Sequence, residues 1–230
     1  MTASPRIKTL LSESGFRDNP LFRLYPAENI PGWDDEWHSL IPNGDRIKKS
    51  PAHLGFSWLL YTLTANPRKW VCFAGAPGMG KTHLSCVLGT AWILRMNRAG
   101  LIAVWPDVLR RMREKIDQDK AGFMPSSDTL RFALEQLISV PFLVMDDVSA
   151  GRTVMSDWAL DNLFLVLNGR IGKPTILTMN QPLDTFRQTL RATGFESGLK
   201  AADRLEQGEG GNVAAKIPFT SKKGSYRAKP

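Results

Sequence analysis

Short, uniformly apolar runs alternate with longer amphipathic segments along most of the chain. Residues 69–75 (KWVCFAG), 101–105 (LIAVW), 141–147 (PFLVMDD) and 174–180 (PTILTMN) are predicted strands. Strands that are apolar at every position are buried on both faces, which is typical of a parallel sheet. Residues 212–219 (NVAAKIPF) predict a fifth strand of the same sheet.

The segments between these strands carry apolar residues at helical spacing. Predicted helices cover residues 81–97, 106–116, 127–139, 153–170 and 197–208. Strands that alternate with helices are joined by right-handed crossovers, so the predicted fold class is α/β, a three-layer sandwich on a parallel sheet of about five strands. In the helix over residues 81–97 we expect one buried stripe, formed by Leu84, Val87, Leu88, Ala91 and Leu94.

The first fifty residues differ from the rest, because prolines and glycine turns interrupt them and little periodicity remains. We expect residues 1–50 to form an N-terminal arm or partner-binding segment, with a short helix near residues 7–12. A buried helix over residues 51–65 then begins the core. The core is predicted to cover residues 51–230 and to end in a basic tail.

Charge narrows the choice of partners. The formal net charge is +8 and the pI is about 9.7, which favours a polyanion such as nucleic acid as a partner, although a basic charge balance can also serve solubility.

No apolar run approaches the ~20 residues of a membrane helix, and the N-terminus lacks a secretion signal. We therefore expect a cytoplasmic protein without a membrane partner. Its two cysteines and three histidines are scattered, which predicts no structural zinc site.

The most specific motif is FAGAPGMGKTH, residues 73–83, which fits G-x-x-x-x-G-K-[ST] between a strand and a helix. Glycines allow backbone N–H groups to approach phosphate oxygens, and the helix N-terminus adds its positive dipole end. The alternative is a glycine-rich turn beside a chance lysine. The predicted nucleotide-binding residues are Gly75, Ala76, Pro77, Gly78, Met79, Gly80, Lys81, Thr82 and His83, the last only as a first-turn helix residue.

This motif predicts ATP and Mg²⁺ as cofactors. Lys81 would reach the β- and γ-phosphates, the Thr82 hydroxyl would hold the metal ion, and Asp146 would hold it through its water shell. Asp147 would polarise the attacking water, and Asn180 at the end of the next strand would hold that water or the γ-phosphate. The acidic pair could instead cap a turn, and asparagine often ends strands.

The order of these motifs resembles the AAA+ ATPases of the bacterial helicase-loader group, which includes DnaC/DnaI-type loaders and IstB-type transposition helpers. The resemblance is carried by the glycine loop, FLVMDD, NGRIGKPTILTMN, AADRL and GSYR, over residues 70–227. It implies that Asn180 is the sensor-1 residue, that Arg204 is an arginine finger serving the ATP of a neighbouring subunit, and that Arg227 is the sensor-2 arginine. Arg170 matches a recurrent arginine whose role stays open. The group also implies a core without a C-terminal helical lid.

The function implied by the resemblance is that of a DNA-associated ATPase that loads a replicative helicase, binds single-stranded DNA and forms a homo-oligomer with ATP. An IstB-like helper that binds duplex DNA and recruits a transposase is the alternative. A small-molecule P-loop kinase and a module that holds ATP with little hydrolysis are further alternatives. The helix over residues 106–116 has a basic side formed by Arg110, Arg111, Arg113 and Lys115. This side would either face DNA or be exposed only to solvent. The proline-rich front departs from the zinc-bearing modules of some loaders, so it leaves the protein partner open.

Overall fold

A computed structural model describes residues 5–15, 59, 62–64, 69–120, 134–149, 156–207 and 211–219. Its centre is a five-stranded sheet in which every neighbouring pair is parallel, with the strand order β2-β3-β4-β1-β5. The strands are β1 Trp70–Gly75, β2 Gly100–Val104, β3 Phe142–Asp146, β4 Thr175–Met179 and β5 Val213–Phe219. The predicted fold class is confirmed, and so is the fifth strand.

Helices cover both faces of this sheet. They are α1 Pro5–Glu13, α2 Lys81–Met96, α3 Trp105–Lys120, α4 Asp157–Gly169, α5 Leu183–Ala192 and α6 Glu196–Arg204. Residues 134–139 are also helical. Alternate strand residues point to opposite sides, so that Cys72 belongs to one apolar cluster, with α4, α5 and α6, while Phe73 belongs to the other, with α1 and α2. Helices on both faces are why the strands are apolar throughout.

Helix α3 extends to Lys120, beyond its predicted end at residue 116, and α6 ends at Arg204, before its predicted end at residue 208. Three further differences concern strand β2, helix α2 and helix α5. Strand β2 ends at Val104, and Trp105 begins α3 as a fully buried side chain, so the predicted strand over residues 101–105 was one residue too long. Leu94 was predicted to be buried with the stripe of α2, but it is 43% exposed and lies off the core. The first turns of α2 are instead buried on all sides, between the sheet and α1. Helix α5 was not predicted, although Leu183, Phe186 and Leu190 are buried at helical spacing.

The N-terminal segment packs on the core where the structure describes it. Of the predicted arm, residues 1–50, residues 5–15 are described, and Leu11 is buried against α2. The Ile102 N–H on the outer edge of β2 donates to the Ser14 carbonyl (3.0 Å), and Ser14 is itself fully buried. This contact covers part of an edge that would otherwise be open to pairing. Within the predicted helix over residues 51–65, the described residues 59 and 62–64 are helical.

Arg170 is a fully buried cation at the C-terminal end of α4. Its Nε donates to Thr175 Oγ1 (3.0 Å) and its Nη2 donates to the Pro174 carbonyl (2.7 Å). Its Nη1 donates to backbone carbonyls of residues 137, 138 and 140, at the negative end of the helix over residues 134–139. Burial lowers the pKa of Arg170 to about 9. The arginine therefore joins α4, β4 and this neighbouring helix from inside the core.

Replacing Arg170 with alanine should lower the free energy of unfolding by about 3 kcal/mol or more, because several buried acceptors lose their donor at once. Urea unfolding followed by circular dichroism measures this loss. Arg191→Ala is the matched control, since Arg191 forms an exposed ion pair with Asp203 (3.0 Å) and its loss should change stability by less than about 1 kcal/mol. Equal losses in the two variants would contradict the structural role of Arg170.

Candidate functional site

The loop between β1 and α2 turns sharply at two glycines. Gly78 has φ +80° and Gly80 has φ +87°, a left-handed backbone that strains residues with a Cβ atom. The first helical bond of α2 runs from the Leu84 N–H to the Gly80 carbonyl (2.9 Å). The amides of residues 81–83 precede this bond and lie at the positive end of the helix dipole. The loop and the helix start together form a concave set of donors suited to an anion.

Lys81 lies across this loop. Its side chain is 5% exposed, and its Nζ donates to the carbonyls of Gly75 (2.8 Å) and Ala76 (2.9 Å). The same Nζ donates to Asn180 Oδ1 (3.0 Å), directly after β4. The ammonium group therefore connects the start of the loop with the end of the neighbouring strand.

A buried carboxylate faces the loop from the end of β3. Asp146 is 6% exposed and accepts hydrogen bonds from Thr82 Oγ1 (2.8 and 3.1 Å to its two oxygens) and from Thr178 Oγ1 (2.6 Å). Burial raises the pKa of Asp146, and the nearby Asp147 adds to the rise, whereas the two hydroxyl donors oppose it. The carboxylate is thus held by hydroxyl donors in place of water.

The second carboxylate is fixed by its backbone and by Asn180. Asp147 has φ +59°, an uncommon conformation for a residue other than glycine. Its N–H donates to Thr178 Oγ1 (2.9 Å), and its Oδ1 accepts from Asn180 Nδ2 (2.8 Å). The Asn180 N–H in turn donates to Ser149 Oγ (2.9 Å). Asn180 therefore links Lys81 to Asp147.

The structure brings five of the predicted site residues into one hydrogen-bond network: Lys81, Thr82, Asp146, Asp147 and Asn180. They meet because the carboxyl ends of β1, β3 and β4 lie at the same edge of the sheet, where α/β proteins bind ligands. Sequence reasoning missed Thr178. Strand alternation gave a signal for it, because it lies two residues before Asn180 and therefore on the same face.

Of the two predicted arginines, one lies elsewhere and the other is outside the described residues. Arg204 ends α6, where its Nε donates to Asn168 Oδ1 (2.9 Å) and its guanidinium group lies 5.7 Å from the centre of the Phe164 ring. None of its hydrogen bonds within the described ranges reaches the network around Lys81. Arg227 lies outside the described residues.

His83 and Met79 are turned into the protein. His83 is 1% exposed, and burial lowers its pKa to about 3, so the imidazole is neutral at physiological pH. Met79 is 7% exposed and packs in the cluster beneath α2. Only the backbone amides of these two residues can face an anion in the loop, whereas Ala76 and Pro77 are exposed.

The residues present fit a triphosphate with its magnesium ion. Left-handed glycines, helix N–H groups and the Lys81 ammonium suit phosphate oxygens. The hydroxyl of Thr82 and the carboxylate of Asp146 supply hard oxygen ligands, which Mg²⁺ prefers. Their oxygens lie 2.8 Å apart. Among the described residues, no group of three or more histidine, cysteine, aspartate or glutamate side chains is placed to hold a metal ion.

A phosphate loop after β1, a carboxylate after β3 and a polar amide after β4 of a parallel sheet define an α/β protein of the P-loop NTPase class. Residues 61–206 match the family model of the IstB-like ATP binding protein. The match covers more than half of the chain, which therefore belongs to this family.

Several solved structures have the same fold, and three of them are the DnaC helicase loader, DnaI and the replication initiator DnaA. The DnaC helicase loader has a TM-score of 0.55 at 19% identity, over 81% of this chain and 100% of that chain. DnaI has a TM-score of 0.58 at 18% identity, over 82% and 95%. The replication initiator DnaA bound to AMPPCP and single-stranded DNA has a TM-score of 0.50 at 18% identity, over 81% and 50%. Likeness at these identities shows the fold alone.

No curated protein matches this chain in sequence. Within the described ranges, none of the helices has the length and apolar character needed to span a bilayer.

Asp146→Asn should stabilise the protein at neutral pH in the absence of nucleotide and metal, by on the order of 1 kcal/mol. Because burial raises the pKa of Asp146, the folded state holds this proton more tightly than the unfolded chain does. The ionised carboxylate therefore lowers stability above that pKa, and the penalty disappears as pH falls through it. Thermal unfolding of both proteins across a pH series measures the difference.

Asp161→Asn is the control, since Asp161 is an exposed carboxylate on α4 and its loss should change stability by less than about 0.5 kcal/mol. A stability gain at Asp146 that stayed constant down to acid pH would contradict a buried charge as its cause.

Proposed function

We propose that this protein binds and hydrolyses ATP with Mg²⁺, and that it does so as an oligomer associated with DNA. The observation that carries the proposal is the network in which Lys81 contacts Asn180, and Asn180 contacts Asp147, beside the Thr82–Asp146 pair. A cation, two metal-ligating oxygens and a second carboxylate within one edge of a sheet are the parts that phosphoryl transfer requires.

Each residue has a role that its contacts support. Lys81 would exchange the carbonyls of Gly75 and Ala76 for phosphate oxygens, and the Thr82 oxygen would bind the metal ion. A bound magnesium ion would neutralise charge that develops on the phosphate oxygens. Asp147 orients the attacking water and accepts its proton at Oδ2, since Asn180 occupies Oδ1.

Arg204 is proposed to act on the ATP of a neighbouring copy. Its guanidinium group is held on α4 by Asn168 and Phe164, and not by the residues of its own phosphate loop. A planar, permanently charged group supplied by a second subunit can accelerate hydrolysis by about 10³–10⁵-fold. Arg227 is proposed as the arginine that reaches the γ-phosphate within its own subunit.

Mixing two inactive variants tests this arrangement directly. Lys81→Ala should abolish ATP binding, while Arg204→Ala should keep ATP binding and lose hydrolysis in the assembled state. Because one variant keeps the finger and the other keeps the phosphate loop, an equimolar mixture should regain about a quarter of the wild-type rate through mixed interfaces. Phosphate release with DNA present measures the rate, and a mixture that stays inactive would contradict a finger acting in trans.

Lys200→Ala is the matched control for Arg204. The Lys200 ammonium group lies 5.7 Å from the centre of the same Phe164 ring, at the same distance as Arg204, and pairs with the exposed Glu196. Losing this cation should leave hydrolysis within about twofold of wild type, since an exposed surface ion pair contributes little. An equal loss of hydrolysis in the two variants would point to surface charge and away from a specific arginine finger.

As the client we propose a replicative helicase, which this ATPase would load onto single-stranded DNA. The shared fold with the DnaC helicase loader and DnaI supports this reading. Membership of the IstB-like family favours a second candidate, a transposition helper that binds duplex DNA and recruits a transposase.

The proposed DNA-binding surface is the exposed side of α3. Leu109 and Met112 bury its apolar side, whereas Arg111 is exposed. Arg110 is engaged by Glu114 (2.7 Å) and Asp107 (3.6 Å) on the same helix. Arg113 lies over Trp158, 5.0 Å from its ring centre. Arg111 is thus the arginine best placed to contact phosphate.

The DNA preference distinguishes the two clients. A helicase loader should bind single-stranded DNA more tightly than duplex in the presence of a non-hydrolysable ATP analogue, and a transposition helper should show the reverse. Fluorescence anisotropy with labelled strands over a salt series measures both affinities. Arg111→Ala should weaken binding and lower the salt slope by about one charge.

Arg110→Ala is the paired control on α3, because its charge is already engaged by two carboxylates and its loss should have a smaller effect. Binding unchanged by Arg111→Ala would remove α3 from the DNA interface.

A further inference from the structure

Thr178 lies at the centre of the network without being part of any recognised motif. It is fully buried on β4, and its hydroxyl group uses both of its hydrogen-bonding functions. The hydroxyl donates to Asp146 Oδ1 (2.6 Å) and accepts from the Asp147 N–H (2.9 Å). One atom therefore contacts both acidic residues at the end of β3.

The contacts of Thr178 differ in kind from those of Thr82. Thr82 is the proposed metal ligand, so its oxygen would also bind the metal ion while its O–H donates to Asp146. Thr178 belongs to β4, and both hydrogen bonds of its hydroxyl group are made to the acidic pair. Its hydroxyl group therefore fixes the direction of the Asp146 carboxylate from within the sheet.

The same residue holds the unusual backbone of Asp147. Its hydroxyl accepts from the Asp147 N–H, and its carbonyl accepts from the Val148 N–H (3.0 Å). Two bonds to consecutive amides fix the left-handed turn at φ +59°, a conformation that persists only when the surroundings over-determine it. That turn in turn directs the Asp147 side chain toward Asn180.

We propose that Thr178 is a positioning residue for hydrolysis, which sets the direction of Asp146 toward the metal ion and of Asp147 toward the attacking water. This inference rests on the proposed ATPase function. Residues that orient metal ligands from behind typically change metal affinity or activity by about 10–100-fold when they are removed. Valine has the shape of threonine without the hydroxyl group, and serine keeps the hydroxyl group.

The test is a magnesium titration of ATP binding and hydrolysis for Thr178→Val and Thr178→Ser. The valine variant should bind ATP in EDTA within about twofold of wild type, but need about tenfold more Mg²⁺ for half-maximal turnover, with kcat lowered about tenfold. Serine should restore both quantities to within about threefold. Thr178→Ala provides a second removal of the hydroxyl if valine disturbs folding, which circular dichroism monitors.

Thr175→Val is the matched control. Thr175 is also fully buried on β4, but its hydroxyl group bonds Arg170 and the Lys173 carbonyl, away from the acidic pair. It should lower the melting temperature and leave the magnesium midpoint unchanged. A magnesium midpoint and kcat equal to wild type in Thr178→Val, or no rescue by serine, would overturn the inference alone. A wild-type protein that binds no magnesium–ATP would overturn the proposed function and this inference with it.

Discussion

Burying the carboxylate of Asp146 is unfavourable unless other donors replace the water that it loses. Two threonine hydroxyls do so, one from α2 and one from β4. Each donor belongs to a different element, so the carboxylate holds the first turn of α2, the end of β3 and the end of β4 in one arrangement. The rise in the pKa of Asp146 shows that these donors only partly offset the burial. The sheet edge therefore holds a negative charge that a cation would stabilise.

Strand order makes this arrangement possible. β4 lies between β1 and β3, so Asn180 is next to the phosphate loop on one side and to the acidic pair on the other. In the sheet, β2 lies at the far edge, and β3 and β4 lie between it and β1. Five residues separated by up to a hundred positions in sequence then share one network. A local stretch of sequence does not show which distant residues become neighbours. The alternation of strands and helices does show it, because it sets the order of the strands in the sheet.

The sequence was sufficient for the fold class, the phosphate loop and the acidic pair, because each of these has a local pattern. Helix α5 was missed because a short, charged segment after Pro182 resembles a loop unless its apolar spacing is examined. Thr178 was missed because a buried threonine in a strand is ordinary, and only its partners distinguish it from Thr175. The resemblance left the role of Arg170 open and made Arg204 an arginine finger; the structure places Arg170 fully buried inside the core and Arg204 at the end of α6 against Asn168 of α4. Their different roles follow from how deeply each side chain is buried and which groups it bonds. The residue type alone shows neither the burial nor the hydrogen-bond partners.

Asn180 connects the two halves of the site through one planar amide. Its oxygen accepts from Lys81 and its nitrogen donates to Asp147. A movement of the Lys81 side chain therefore changes the hydrogen bonding of the amide that holds Asp147. When Lys81 turns toward a phosphate, Asn180 loses a donor at its oxygen, and that oxygen becomes able to accept from a water molecule. The amide nitrogen would keep its bond to Oδ1 of Asp147, so in the proposed reaction Oδ2 would accept from the same water. Binding of the triphosphate would thereby make room for the attacking water, because Lys81, which would bind phosphate, is the group that contacts Asn180 Oδ1 without nucleotide.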